Sequence, residues 1–309
     1  MPRFLKPGAM DRKTYSDQLS KTFDVMWLRA KDEVSVLAPY FHKINISEGD
    51  TFRIGDVGSS LTMPVRNEDT AKRPYAHVAP GFSKELTLLP YRLFVRVTDN
   101  MRRMERYGKV AGMVSGLPNA AKAKIEYQRV DIFNSQTFSG TAGADSLALC
   151  HDTHPHQNIE YGTWDNLGTG VATVGNLHAL RLLGQKMTNE WGRPMPVTLK
   201  DWLIPPDLQR TFEEIKIAPK DPETALNTPN VLINGMQYVM SPHLTDTDAY
   251  FGFGDLTGEE KGIYEVSLMD PSVADVTDGD PDIVLHKRIK AVNAFGYGTS
   301  KNIFASAGA

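Results

Sequence analysis

One cysteine, Cys150, stands in 309 residues, so no disulfide closes within the chain, and the count fits a reducing compartment. No apolar run approaches the roughly 18 residues that a membrane-spanning helix requires. The opening MPRFLKPGAMDRK is basic but lacks the apolar stretch of a signal peptide, so export is not expected. The Asn45-Ile46-Ser47 triplet is then read as chance and not as a glycosylation acceptor. Basic residues are scattered, without dense runs or interleaved aromatics, which argues against specific nucleic-acid recognition. Neither His-Glu-x-x-His, His-x-x-Glu-His nor Gly-x-Ser-x-Gly occurs. What is present is ordinary for a folded chain: 41% hydrophobic and 23% charged residues. The length suffices for a sizeable core and about two domains.

The net charge of −3 hides an asymmetry. Residues 1–135 carry 22 Lys+Arg against 15 Asp+Glu, whereas residues 136–309 carry 12 against 22. Two readings stand: solvated faces, or a basic half that meets the acidic half of a neighbouring copy. Opposed potentials of the second kind set register in assemblies.

Four stretches hold residue types that could carry chemistry, and each reads better as structure. Cys150-His151-Asp152-Thr153-His154-Pro155-His156 has a zinc-like inventory. Ligands so close on one loop rarely enclose an ion without remote partners, and no second cysteine exists. Gly168-Thr169-Gly170-Val171 lacks the next glycine of a dinucleotide loop, Gly175 coming two positions late, and Asn176-Leu177 replaces the Lys-Ser/Thr of a phosphate loop. Asp275, Asp278, Asp280 and Asp282 miss the glycine and glutamate spacing of a calcium loop. Asp246 and Asp248 resemble an acid–base pair but are expected to close a turn through their own side chains. No catalytic, cofactor or metal residue is assigned.

Shape signals are denser. Residues 1–47 read as an arm with one helix between Thr14 and Lys31, carrying Phe23, Met26, Trp27 and Ala30 on one face. Residues 48–92 are punctuated by Gly and Pro, and Asn67–His77 holds almost nothing apolar, so a projecting loop with hairpin-like ends is expected. From Val97 the pattern turns helical. Thr98–Phe138 is expected as one long helix or two nearly coaxial ones, interrupted at Gly116-Leu117-Pro118 and ended by Gly140. Residues 141–175 read as irregular and 176–190 as a helix with Leu177, Leu180, Leu183 and Met187 on a narrow arc. Thr198–Ile204 reads as a strand. Pro205-Pro206 and Asp207 open the helix that carries Leu208, Phe212 and Ile215. Asn234-Gly235 predicts a hairpin between Val231–Ile233 and Tyr238–Met240. Residues 273–282 read as a loop, followed by one long or two shorter strands broken at Gly296–Gly298.

ISEGDTFRI (46–54), ELTLLPYRLFVRVTDNMRRMERYG (85–108), ADSLALCHDTHP (144–155), GRPMPVTLKDWLIPPDLQ, NVLINGMQYVMSPHLTDTDAYFGF and KRIKAVNAFGYGTSKNIFASAG occur in the order of corresponding segments in tailed-phage major capsid proteins. Over most of residues 46–309 the chain resembles that family. The resemblance implies an α+β fold with an N-terminal arm (1–47), an extended loop, the E-loop hairpin (48–92), a peripheral domain with a long spine helix (93–138 with 263–309) and an axial domain (139–262) whose mixed sheet is flanked by helices. Leu208, Phe212, Tyr238, Tyr250 and Phe251 are expected in the axial core.

The resemblance further implies a non-enzymatic subunit that forms hexamers and pentamers of an icosahedral shell around double-stranded DNA. Such a protein resides in the virion capsid after assembly in the host cytoplasm. Its expected partners are other copies of itself, a scaffolding protein, a portal and a decoration protein. Contact with packaged DNA would be non-specific, and no membrane partner is expected. Expected contacts between subunits are Arg66, Glu68, Lys72, Arg73, Tyr75, Lys84, Arg102 and Arg103. Some relatives cross-link a lysine to an asparagine, for which Lys72 or Lys84 and Asn302 are available. Two rival readings are an encapsulin-like nanocompartment shell and a metal-dependent enzyme centred on His151, His154 and His156.

Overall fold

The computed structural model describes residues 12–32, 35–59, 78–104, 109–140, 143–157, 159–189, 192–220, 229–230, 232, 235–276, 280, 282–298 and 301–308. Helices α1 (Arg12–Asp32), α2 (Asp99–Met104), α3 (Lys109–Ser135), α4 (Val174–Gln185) and α5 (Gln209–Ile217) accompany two sheets and two ribbons. The ribbons are β2 (Thr51–Ser59) with β3 (Val78–Thr87), and β5 (His154–Pro155) with β6 (Thr163–Trp164).

The first sheet runs in the order β1 (His42–Asn45), β11 (Ile263–Asp275), β12 (Ile283–Tyr297), β4 (Leu89–Thr98). Only the β1–β11 pair is parallel. One face of this sheet meets α1, whose Leu19 and Phe23 are buried with Val97, Leu285 and Ile289. Twenty-one residues without Gly or Pro allow that helix, and leucine and phenylalanine four positions apart give it one face to bury.

The second sheet runs β7 (Leu167–Gly168), β13 (Ile303–Ser306), β10 (Tyr250–Phe253), β8 (Asp201–Ile204), β9 (Gln237–Met240). It is buried on both faces, because side chains alternate along each strand. Trp202, Ile204, Tyr250 and Phe304 point to the side of α4 and α5. Leu203, Phe251, Ile303 and Ala305 point to the side where Val130, Ile132 and Phe133 of α3 pack. Gly252 belongs to the first of these faces, where an added Cβ would lie 3.0 Å from the Trp202 ring. Such a two-sided core reads in sequence as continuous apolar runs, as in DWLI and YFGF.

The structure corrects several expectations. Val97 is buried in β4 and not in a helix, since the strand persists to Thr98 through ten residues of pairing with β12. The Gly116-Leu117-Pro118 step does not interrupt α3, which continues across it. Proline removes one backbone donor there, and the packing of the helix farther on holds what the local signal opposes. That helix ends at Ser135, before Gly140, and the Ser135 hydroxyl donates back to the Asp131 carbonyl at 2.6 Å. The expected helix over 176–190 is α4, capped by Thr173 Oγ1, which accepts the Asn176 N–H at 3.1 Å.

Tyr238–Met240 lies in β9, which among the described residues pairs in parallel with β8 and with no local partner. A turn does close at Gly235, whose N–H donates to Leu232 O at 3.2 Å, while Val231, Ile233 and Asn234 lie outside the described residues. Strand β11 extends through Val273–Asp275, part of the stretch read as a loop. Finally, Ile303–Ser306, grouped by sequence with 93–138, hydrogen-bonds into the second sheet beside β10 and β7. The expected strands after the acidic loop are two, broken after Tyr297.

Candidate assembly interface

Strands β2 and β3 pair from Thr51↔Thr87 to Ser59↔Val78, with an irregularity between Gly55 and Val57. Ile54, Leu86 and Leu88 root this ribbon in a cluster with Tyr264, Val266, Val292 and Ala294 of the first sheet. The root fits because position 296 is glycine: a Cβ there would lie 2.5 Å from Leu86 Cδ2. Lys84 Nζ sits 4.7 Å above the Tyr297 ring of its own chain, and burial pulls its ammonium pKa down. Beyond this root the ribbon pairs only with itself among the described residues.

Of the expected subunit contacts, Arg66, Glu68, Lys72, Arg73 and Tyr75 lie outside the described residues, as does all of Asn67–His77. Arg102 lies in α2, with only its backbone described. Arg103 is exposed and pairs one turn back with Asp99 at 2.6 Å. Lys84 is turned onto Tyr297 as described. Asn302 is 4% exposed, and its Oδ1 accepts the Leu256 N–H at 3.1 Å, so this asparagine holds the segment after β10 in its own chain.

A groove of about 670 Å³ runs between the ribbon root and α3, bordered by Glu85, Tyr91, Lys124, Tyr127, Asp131 and His243. Leu89 and Phe94 on the edge strand β4 are about half exposed, as is Tyr127 on α3, whose ring lies 4.3 Å from that of His243. Asn134 ties the helix to the 243–245 loop by donating to His243 O (3.0 Å) and accepting from Thr245 N (3.1 Å).

Sequence reasoning missed two ion networks, each built on a buried cation, since their members are far apart in the chain. Arg129 of α3 donates to Glu265 Oε2 through Nε (3.0 Å) and Nη2 (2.7 Å), and through Nη1 to Glu126 (2.8 Å) and Ser35 Oγ (2.6 Å). Lys287 of β12 is buried beneath α1, with Asp24 at 2.8 Å, Asp275 at 3.4 Å and the Phe23 ring 5.0 Å away.

In the cysteine–histidine loop, Cys150, His154 and His156 are buried. Cys150 is 1% exposed and its Sγ lies 3.8 Å from the Ile303 carbonyl; burial pushes its thiol far above the usual range. His154 stacks on Trp164 (4.2 Å between centroids) and its Nδ1 meets Asp145 at 2.5 Å. Burial raises the Asp145 pKa, but the bond to His154 and the backbone N–H of Leu147 outweigh it and hold the carboxyl below its ordinary value. His151 accepts or shares a proton with Thr153 Oγ1 at 3.0 Å, and His156 faces Thr188 Oγ1 at 3.3 Å. The three histidines therefore address different neighbours, and among the described residues no group of three ligating side chains is placed to hold a metal. Asp246 Oδ1 accepts the N–H groups of Asp248 and Ala249, which closes the expected turn.

A ribbon rooted by its base, two sheets that both meet α3, and residues spent on packing define the class: a capsid-type shell fold. The solved capsid of cyanophage P-SCSP1u is similar at a TM-score of 0.58 and 12% identity, covering 87% of this chain and 86% of that one. The capsid of cyanophage Pam1 is similar at 0.52 and 11%, covering 88% and 91%. The SrpI encapsulin of Synechococcus elongatus is similar at 0.50 and 11%, covering 89% and 88%. At these identities the likeness shows the fold. The phage capsid protein family model matches residues 83–302, and the chain belongs to that family of capsid shell proteins. No curated protein matches the sequence.

Proposed function

We propose that this chain is the major capsid protein of a tailed phage that assembles into hexamers and pentamers of an icosahedral shell around double-stranded DNA. The observation that carries the reading is the β2–β3 ribbon, rooted on its own subunit near Ile54, Lys84, Leu86 and Leu88 and paired only with itself among the described residues. A two-stranded ribbon is marginal alone in water and gains stability when another surface covers it. Copies of the chain supply that surface: residues 52–92 and 1–30 wrap neighbours, and many weak contacts per subunit sum to a stable shell. The domain reading follows, with the first sheet and α3 as the peripheral domain, the second sheet as the axial domain, and β13 transferred to the axial side. Arg66, Glu68, Lys72, Arg73, Tyr75, Lys84, Arg102 and Arg103 make the contacts between subunits.

A scaffolding protein, a portal and a decoration protein complete the assembly in the host cytoplasm. Packaged DNA meets the shell non-specifically, and the subunit performs no catalysis. The family membership and the capsid likenesses support this reading. The test is electron microscopy of particles formed by the chain expressed with its genomic neighbours, together with their nucleic-acid content. Closed shells filled with double-stranded DNA are expected.

A nanocompartment is the second reading, favoured by the similar encapsulin structure. Uniform shells that hold protein cargo and no DNA would decide for it.

A further inference from the structure

We propose that Arg129 is a positioning residue that fixes the angle between α3, the first sheet and the segment leading out of α1, and thereby sets the uniformity of the shell. This rests on the assembly reading above.

The geometry singles it out. Arg129 and Glu265 are each 7% exposed, and four of the five guanidinium N–H donors are taken up. Their acceptors come from three places in the chain, 94 and 136 positions from Arg129 and one turn back on its own helix. Glu265 lies on β11, beside Lys43 of β1 and Phe295 of β12 in the register, so the pair reaches the middle of the sheet. Ser35 also accepts the Ala38 N–H at 3.2 Å, which starts the short turn that places Leu37 and Phe41 in the core.

Apolar packing leaves this angle underdetermined. Burial is non-directional, and Val130, Ile132 and Phe133 gain from any orientation that keeps them covered. Toward its middle, α3 lies over a cavity of about 300 Å³ between Ala121, Ile125 and the strand residues Leu93, Ile289 and Ala291. Side chains there have space to accommodate a tilt. A planar guanidinium that bridges a carboxylate on a strand and a hydroxyl on a connecting segment has one geometry. Because removing two carboxylates and a cation from water is costly, such a network contributes direction more than stability.

The test uses the full chain and two variants. Arg129→Met with Glu265→Leu exchanges the pair for apolar groups of similar bulk, and Arg129→Lys keeps the charge but loses the fork. In the apolar double variant the unassembled subunit should keep or exceed the wild-type melting temperature. Amide-exchange protection at Ala38 and Phe41 should fall about tenfold, as expected for a segment released from the fold around it. Electron microscopy should show open sheets or shells of mixed diameter where wild type gives one diameter. Uniform wild-type shells with unchanged exchange from a stable double variant would overturn the proposal. If the double variant does not fold, Arg129→Lys decides by the same two readouts, and uniform shells with native exchange again overturn it. Failure of wild type itself to form shells would refute the assembly reading, while the exchange measurement still decides whether Arg129 orders the segment.

Discussion

A Cβ on Gly296 would lie 2.5 Å from Leu86 Cδ2 and 3.0 Å from Cδ1, so the absence of a side chain on β12 lets the ribbon take root. Leu86 has little room to yield, since Leu88, Tyr264, Val292 and Ala294 share its cluster. Gly296→Ala is expected to cost about 1–3 kcal/mol by overpacking. Leu86→Ala in the same chain should recover part of that loss, because the two changes share one space. Urea unfolding of the two single variants and the double variant measures the coupling, and additive losses would contradict the contact.

Lys287 gives an asymmetric prediction. Its side chain is 3% exposed, whereas those of its partners Asp24 and Asp275 are 56% and 75% exposed. Lys287→Met removes the buried cation and leaves two carboxylates in water, so the loss should stay below about 1.5 kcal/mol. Asp24→Asn with Asp275→Asn strands an ammonium over the Phe23 ring and should cost about 3 kcal/mol. Thermal denaturation that ranks the lysine variant as the weaker one would refute this account of how α1 is seated.

The Asp145–His154 contact predicts a pH limb. The carboxyl pKa is held below its ordinary 3.8 in the folded chain. Its contribution is therefore fully present above that value and lost as the pH falls through the lower folded one. Stability of the wild type relative to Asp145→Asn should shrink as the pH falls below about 4. Chemical denaturation across that range checks it, and a difference that does not change with acidity would contradict the assigned pair.

How much of this was legible beforehand depended on the distance over which each feature is determined. Helix α1, the helix after Pro205-Pro206 with buried Phe212 and Ile215, and the hairpin-like ends of the 48–92 loop announce themselves locally through spacing and turn residues. The parallel partnership of β9 with β8 did not, because Asn234-Gly235 is a strong local turn signal and β8 lies 36 positions earlier. Pro118 likewise gave a local instruction that the tertiary packing of α3 overrode. The seven-residue run from Cys150 to His156 showed its inventory but not that His154 would serve Asp145 and Trp164. Arg129 and Lys287 carry no periodic or motif signal at all; only the fold brings their acids to them.

In the proposed shell the ribbon finds its burial on other copies of the chain. Deleting Asn67–His77, the apolar-poor stretch between β2 and β3, tests this burial, with light scattering and electron microscopy of the variant beside wild type. A folded, unassembled subunit from the variant and closed shells from wild type are the predicted pair of results. Closed shells of normal diameter from the deletion variant would contradict the claim.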